Sequence, residues 1–288
     1  MALPTAHRVI DNPGQASVDQ VMRYEYVPPY PGSGIDHVGT YKRKLPVSLD
    51  RMYENALDWE HLPYLHGSSF GEIECLDAGA WGWRAAVKTS GGEPSVIELS
   101  LDRSARRWIT RTLEGRFEGA EIWTHVFVTA PHEMDIVIYF FVPGIADEAK
   151  PKIGRAYAAS YEQLYDEDVF MMSERQRQLD RRVDSVREGA AIVFSAQDLA
   201  SLPQAFELNG RGYFLQRHQD RWVTYPQACP HQLGPLPGEV DAHGQVSCPW
   251  HGYRFDVHTG RCVTGASCRF GQVPEVLERD DGVEVVLR

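Results

Sequence analysis

The rhythm of apolar and polar residues changes three times along this chain. The segment from about His37 to Pro46 reads as a strand, and from about Ser48 the period lengthens: Leu49, Met52, Tyr53 and Leu57 recur at the three-and-four spacing of an amphipathic helix. Pro63 interrupts the hydrogen-bond ladder of such a helix, so the turn carrying His66 is expected to be distorted. Between Phe70 and Gly144 alternation by two takes over. Strands are expected over Trp81–Val87, Ser95–Leu101, Trp108–Leu113, Glu121–Thr129 and Asp135–Val142, with a turn at Pro131-His132-Glu133. A helix then runs from about Lys152 to Val186, without proline and without glycine after Gly154. Near Arg187-Glu188-Gly189-Ala190 that periodicity is lost. Short strands follow at Ala191–Phe194, Gly212–Arg217, Arg221–Tyr225, Gln245–Ser247 and Val283–Leu287, with turn signals such as Asn209-Gly210 and Asp280-Asp281-Gly282 between them.

These elements predict an α+β chain of two domains. Residues 1–188 suit a helix-grip, START-like arrangement, in which a curved antiparallel sheet folds around one long C-terminal helix and leaves an apolar cavity between them. Residues 189–288 suit a small all-β domain. A length of 288 residues accommodates both, and the 43% hydrophobic and 24% charged content is that of a globular protein. A formal charge of −11 argues against nucleic acid or an anionic membrane surface as partner, since both require a positive patch. No run approaches the roughly 18–20 apolar residues of a membrane span, and Met1 to Asn12 lacks the apolar core of a signal peptide, so a cytoplasmic location is expected. Five cysteines suit that compartment.

Four residues near the C-terminus carry chemistry. Cys229-Pro230-His231 is followed, after sixteen intervening residues, by Cys248-Pro249-Trp250-His251-Gly252-Tyr253. Two thiolates and two imidazoles can hold a tetrahedral zinc ion, but zinc modules usually pair like residues on each short arm, and here each arm mixes one Cys with one His. The two loops closely resemble those of Rieske proteins, in which two histidines replace two cysteines on one iron of a [2Fe-2S] cluster. The resemblance implies a cluster held by Cys229, His231, Cys248 and His251, and the transfer of single electrons. High-potential Rieske proteins donate Ser and Tyr hydroxyls to the cluster from the places that Tyr253 and Phe255 occupy here. They also brace the two loops by a disulfide where this chain has Gly234 and Trp250. A potential toward the low end of the Rieske range is therefore implied. Cys75, Cys262 and Cys268 lack the ligand context and read as reduced packing thiols.

The first helix contains a second constellation: Asn55, Asp58, His61 and His66 in the frame N-x2-D-x2-H-x4-H. Two neutral imidazoles held close together are good ligands for Fe(II), and a carboxylate would complete the two-His, one-carboxylate triad that leaves positions open for O₂. A single helical His is ordinarily a packing or surface residue, yet this frame in one chain with the cluster loops resembles the mononuclear-iron motif of the Rieske non-haem iron oxygenases. The resemblance covers nearly the whole chain, although in the usual members the Rieske domain comes first. It implies that the carboxylate comes from the long helix, where Asp166, Glu167 and Asp168 are consecutive. Residues three and four away share a helical face. For Asp168 these are Leu164, Tyr165, Met171 and Met172, an apolar set, whereas Glu167 and Asp166 face Gln163 and Glu162 and suit a solvated acidic turn. Glu167-Asp168 also falls where monooxygenase members carry a Glu-Asp pair whose Asp binds iron, with Glu174 and Gln176 continuing the likeness. By the same resemblance Asp58 bridges His61 to a cluster histidine, His251, and Asn55 sits near the iron.

The function so implied is a Rieske-type oxygenase, in the form of a monooxygenase, with mononuclear Fe(II) on His61, His66 and Asp168. Electrons would come from a separate NAD(P)H-dependent reductase or a ferredoxin, because no dinucleotide fingerprint exists: Gly210-Arg211-Gly212 is followed by Leu215 where a third glycine is needed. Family members also desaturate, cyclise or dealkylate, and commonly form homo-oligomers, trimers in which one subunit's cluster serves the next subunit's iron. A small, largely apolar, aromatic substrate is expected at family level. Trp81, Trp83, Trp123, Tyr139 and Phe141 lie on the sheet, with core packing the expected role for most. The rival reading is a non-enzymatic Rieske electron carrier fused to a helix-grip ligand-binding domain.

Overall fold

The computed structural model of the protein describes residues 35–88, 92–181 and 189–288. Packing divides the chain into two compact units, residues 1–173 and 174–288, so the end of the long helix groups with the second unit. The boundary expected near residue 188 lies outside the described residues.

In the first unit, strand β1 (Ile35–Leu45) leads into helix α1 (Leu49–Leu57), a 3-10 turn at Trp59–His61 and the short helix α2 (Leu62–Leu65). Six strands follow: β2 (Glu72–Gly79), β3 (Gly82–Lys88), β4 (Ser95–Asp102), β5 (Arg107–Glu114), β6 (Glu121–Ala130) and β7 (Glu133–Pro143). The meander β2 to β7 is antiparallel throughout, and β1 adds to its far side, giving the order β1-β7-β6-β5-β4-β3-β2. Helix α3 (Lys150–Asp180) lies on one face of this sheet, which is the helix-grip arrangement.

Period-two alternation decides what each face of the sheet buries. On β7, Met134, Ile136, Ile138, Phe140 and Val142 point into the main core with Tyr165 and Met172 of the helix, while Val137, Tyr139 and Phe141 join Trp123 and Ile109 in a second cluster on the opposite face. Each such aliphatic or aromatic side chain contributes about 1.5–3 kcal/mol by leaving water. Of the five sheet aromatics singled out above, Trp83 alone belongs to the core under the helix; Trp81 is 38% exposed. The helix approaches β1 most closely where two glycines meet. A Cβ on Gly154 would lie 2.0 Å from the Val38 carbonyl oxygen, and one on Gly39 would lie 2.8 Å from the Gly154 Cα. That crossing admits no side chain on either partner.

One expectation is corrected. The first helix does not run on to the Pro63 region but ends at Leu57, where Asp58 leaves helical geometry (φ −90°, ψ 83°) and its N–H bonds the Asn55 carbonyl at 3.2 Å. Pro63 then takes the first turn of α2, where its missing N–H breaks no hydrogen bond.

The second unit is all-β after the helix end. Strands β8 (Ala191–Ser195), β14 (Glu275–Arg279) and β15 (Gly282–Val286) form one sheet, β9 (Gln204–Leu208), β10 (Arg211–His218) and β11 (Arg221–Pro226) a second, and β12 (Gln245–Ser247) and β13 (Arg254–Asp256) a hairpin. Phe194, Phe206, Tyr213, Leu215, Val283 and Val285 form its core. Among the described residues, no helix is long and apolar enough to cross a membrane.

Candidate metal centres

His66 stands five positions after His61, which at 100° per residue would leave them about 140° apart on an unbroken helix. The break at Asp58 and the 3-10 turn re-aim the chain, and the two rings come to 5.2 Å, edge to face. His66 closes α2, with the N–H groups of Ser69 and Phe70 both on its carbonyl at 2.8 Å. The Trp83 indole N–H donates to the Ala56 carbonyl at 2.9 Å and ties α1 to β3. Asp168 approaches from α3, on the face it shares with Tyr165, Met171 and Met172; all four are buried.

These elements converge on one carboxylate oxygen. Asp168 Oδ1 accepts from the Asn55 amide at 2.8 Å and lies 3.0 Å from His66 Nε2 and 3.5 Å from His61 Nε2. One ligand atom from each of His61, His66 and Asp168 falls within 4.8 Å of the others, and all three residues are buried. Burial alone would raise the Asp168 carboxyl, but hydrogen bonds from His61 and His66 hold it well below the usual range. Burial alone would lower the His66 imidazole, but Asp168 and then Glu167 outweigh it and raise it. The donor set fits a first-row metal. Two Nε2 atoms and a carboxylate oxygen point at one another, and ligands at 90° with bonds of about 2.1 Å stand about 3.0 Å apart. The second nitrogens face other groups: His61 Nδ1 is 3.8 Å from Asp58 Oδ2, and His66 Nδ1 is 2.6 Å from Glu167 Oε2.

Glu167 corrects the expectation of a solvated acidic turn. Of the three consecutive acids, Asp166 is exposed and pairs with Arg43 at 2.6 Å, Glu167 binds the outer nitrogen of His66, and Asp168 is buried among the imidazoles. The signal available in the sequence was chemical rather than periodic. An imidazole ligand needs an acceptor on its second nitrogen, and an acid next to the liganding carboxylate can supply one. Beside this group lies a cavity of about 120 Å³ lined by Phe70, Trp83, Leu99, Trp108, Tyr161 and Leu164, among others. Burial pushes the Tyr161 phenol well up, so it is neutral there.

In the second unit, one loop after β11 carries Cys229 and His231, and the loop of the β12–β13 hairpin carries Cys248 and His251. Each loop is closed by its own backbone. Cys229 N–H bonds the Gly234 carbonyl at 2.8 Å and Leu233 N–H the Cys229 carbonyl at 2.9 Å; Cys248 N–H bonds the Tyr253 carbonyl at 2.8 Å and Gly252 N–H the Cys248 carbonyl at 2.9 Å. The two imidazoles meet edge to face with centroids 4.6 Å apart, and both cysteines are free thiols buried to 1% exposure. The Cys229 thiol hydrogen-bonds Cys248, which lowers the Cys248 thiol and raises that of Cys229. Paired thiols and imidazoles on two backbone-closed loops fit a cluster with mixed ligation. Trp250 packs where the sequence lacks a brace: a Cβ on Gly234 would lie 2.7 Å from its ring and 3.1 Å from Cys248 Sγ. Tyr253 stands 4.8 Å from the His231 ring, and Phe255 stacks on Phe270 at 5.0 Å in the core of the unit.

Residues 190–274 match the Rieske [2Fe-2S] domain family, so the second unit contains a Rieske domain. Two curated relatives carry the name pheophorbide a oxygenase, chloroplastic. The one from Arabidopsis thaliana is 36% identical over 58 residues, 19% of this chain and 11% of that protein. The one from Oryza sativa subsp. japonica is 35% identical over 66 residues, 22% of this chain and 12% of that protein. The chain thus matches only about an eighth of the length of these relatives. Among solved structures, the Zhui aromatase/cyclase from Streptomyces sp. R1128 is similar over 50% of this chain and 98% of its own, with 15% identity and a TM-score of 0.43. The ferredoxin of carbazole 1,9a-dioxygenase from Nocardioides aromaticivorans IC177 is similar over 35% of this chain and 100% of its own, with 23% identity and a TM-score of 0.29.

Proposed function

We propose that this chain is a Rieske-type non-haem iron oxygenase, acting as a monooxygenase, in which the catalytic unit precedes the Rieske domain. It would take electrons from a separate NAD(P)H-dependent reductase or ferredoxin. With O₂ it would hydroxylate or dealkylate a small, largely apolar, aromatic substrate. The observation that carries this reading is the convergence of His61, His66 and Asp168, from elements about a hundred residues apart, at the edge of an apolar cavity in a chain with a Rieske domain. The name oxygenase carried by the two relatives agrees with it.

In this reading His61 Nε2, His66 Nε2 and an Asp168 oxygen hold Fe(II), which supplies the reducing metal at which O₂ is activated. Cys229, His231, Cys248 and His251 hold the [2Fe-2S] cluster, which stores one electron at a time. The rest is the work of side chains. Asn55 donates to Asp168 Oδ1 at 2.8 Å and fixes the carboxylate rotamer. Glu167 lies 2.6 Å from the outer nitrogen of His66, so that imidazole keeps its Nε2 lone pair for the metal, and Asp58 Oδ2 stands 3.8 Å from the outer nitrogen of His61. Asp58 is also the group we assign to the electron path from a cluster histidine. Phe70, Trp83, Trp108 and Leu164 exclude water and offer flat apolar walls to a ring.

Iron analysis tests the reading. About three irons per chain are expected, and about two would leave only the cluster and favour the electron-carrier alternative. Asp168→Ala and His61→Ala are expected to lose one iron and all turnover while the visible spectrum of the cluster stays. Unchanged turnover in either variant would overturn the assignment.

A further inference from the structure

The Rieske domain contains two cysteines that no cluster needs. Cys262 lies on a segment held on both sides: Asp256 N–H bonds the Arg261 carbonyl at 3.0 Å and Val263 N–H the Arg254 carbonyl at 2.8 Å on one side, and Phe270 N–H bonds the Gly260 carbonyl at 2.8 Å on the other. The second contact is an antiparallel bridge between Arg261 and Arg269, so the next pair inward is Cys262 and Cys268, joined by Cys262 N–H on the Cys268 carbonyl at 3.4 Å. Directly opposed residues in an antiparallel pair stand about 4.5–5.5 Å apart at Cα and point to the same face. A disulfide spans about 4.4–6.8 Å. Both thiols are free and half-buried, and the loop between them is open: Val263 is 45% exposed, and a Cβ added at Gly265 would meet no atom within 4 Å.

We propose that Cys262 and Cys268 form a reversible thiol–disulfide site on this loop, oxidised by a low-molecular-weight disulfide, with Cys262 as the attacking thiolate and Cys268 as the resolving thiol. Their surroundings differ in the required sense. Burial opposes ionisation of Cys262, but the Thr264 hydroxyl at 3.2 Å, the N–H groups of Thr264 and Ala266 and the Cys268 thiol together bring its pKa down. Burial first, then Cys262, raises Cys268, so it keeps its proton until the second step. A partly exposed thiolate among hydrogen-bond donors is the reactive kind. In the first step the Cys262 thiolate forms a bond to one sulfur of the small disulfide, whose S–S bond breaks, and the leaving thiolate takes up a proton. In the second, Cys268 gives up its proton and attacks the Cys262 sulfur, releasing the second small thiol. The chain loses two electrons and two protons, and one small disulfide becomes two thiols. Nothing in this depends on the oxygenase reading.

Arg261 and Arg269 flank the pair, so trypsin releases residues 262–269 as one peptide holding both cysteines. The full-length holoprotein is incubated with glutathione disulfide, denatured, alkylated and digested. That peptide is expected to lose two hydrogens and carry no alkyl group, and to become doubly alkylated after dithiothreitol, while the peptide with Cys75 stays alkylated throughout. In Cys268→Ser, a glutathione adduct is expected to accumulate on Cys262. A peptide that remains doubly alkylated in pure glutathione disulfide, or a wild-type peptide that stops at a glutathione adduct, overturns the pair. The absence of an adduct on Cys262 in Cys268→Ser overturns the assignment of the attacker.

Discussion

The two candidate metal centres of this chain are built on different principles. In the Rieske domain both loops are closed by their own backbone hydrogen bonds, and the four donors lie within twenty-three residues of sequence. What joins the loops is shape, with Trp250 against a glycine that has no Cβ to offer it. In the first unit the donors come from the turn after α1, the end of α2 and α3, and side-chain hydrogen bonds, one of them from Asn55 on α1, hold them. The cluster site should therefore fail when volume changes, and the site in the first unit when a single polar atom changes.

The largest effect is expected where shape is decisive. Gly234→Val places a branched side chain into the Trp250 ring and the Cys248 sulfur, a collision that the loops relieve only by separating. We expect loss of the cluster's visible absorption, with mononuclear iron still bound by the first unit. A full complement of cluster in this variant would break the comparison. Trp250→Ala attacks the same contact from the other side and is expected to destabilise the Rieske domain by about 3–5 kcal/mol, read as the midpoint of cluster bleaching in denaturant.

The mirror experiment belongs to Glu167. Removing the acceptor on His66 Nδ1 leaves the ring free to turn, and lost orienting partners of this kind typically cost about 10- to 100-fold in metal affinity. Glu167→Ala should show that loss in Fe(II) or Co(II) titrations. Glu167→Gln, whose amide oxygen can still accept, should recover most of it. Equal loss in both variants would mean that charge, not orientation, is what Glu167 supplies.

The same contrast explains what could be read from the amino-acid string. The cluster loops are local, so their donors appear together as Cys-Pro-His and Cys-Pro-Trp-His-Gly-Tyr. The strands and the long helix were likewise legible, because the nearly continuous apolar run of β7, buried on both faces, and the helical composition of α3 reflect burial directly. The helix break at Asp58 was not. Nothing in Asn-Ala-Leu-Asp-Trp-Glu disfavours a helix, and Pro63 drew attention to a position where proline is in fact well placed. Glu167 was missed for a related reason. Helical periodicity separates buried from exposed faces and says little about a half-buried rim residue whose partner lies 101 positions earlier.

Asn55 gives a smaller effect. Asn55→Ala removes one of the hydrogen bonds on Asp168 Oδ1 but leaves both imidazoles, so a cost of about 1 kcal/mol in metal binding is expected, roughly fivefold in affinity. In protein stripped of mononuclear metal, pH sharpens the picture. His66 is raised, so its contribution to stability is fully present below the ordinary histidine pKa and is lost as pH rises through the raised value. Asp168 is held down, so its contribution is present above the ordinary carboxylate range and fades only as pH falls through its own low value. The melting temperature of the stripped protein should fall as pH rises above the ordinary histidine pKa of about 6.5 and His66 loses its proton. Iron affinity should rise over the same interval, because the proton no longer competes for Nε2. A melting temperature that climbs with pH in the stripped protein would contradict the pairing.

The smallest effect is reserved for the acid beside these. Asp166 stands one residue from Glu167 and two from Asp168, and helical geometry alone sends it outward, where its carboxylate, 63% exposed, meets Arg43 at 2.6 Å. An ion pair so open to water and salt contributes less than about 1 kcal/mol. Asp166→Asn should therefore leave iron content, cluster and turnover unchanged and shift the melting temperature by little, and less still at high salt. If it instead lowered iron affinity as Glu167→Ala does, the acidic turn would be acting through its summed charge, and the division of labour among three consecutive carboxylates would be lost.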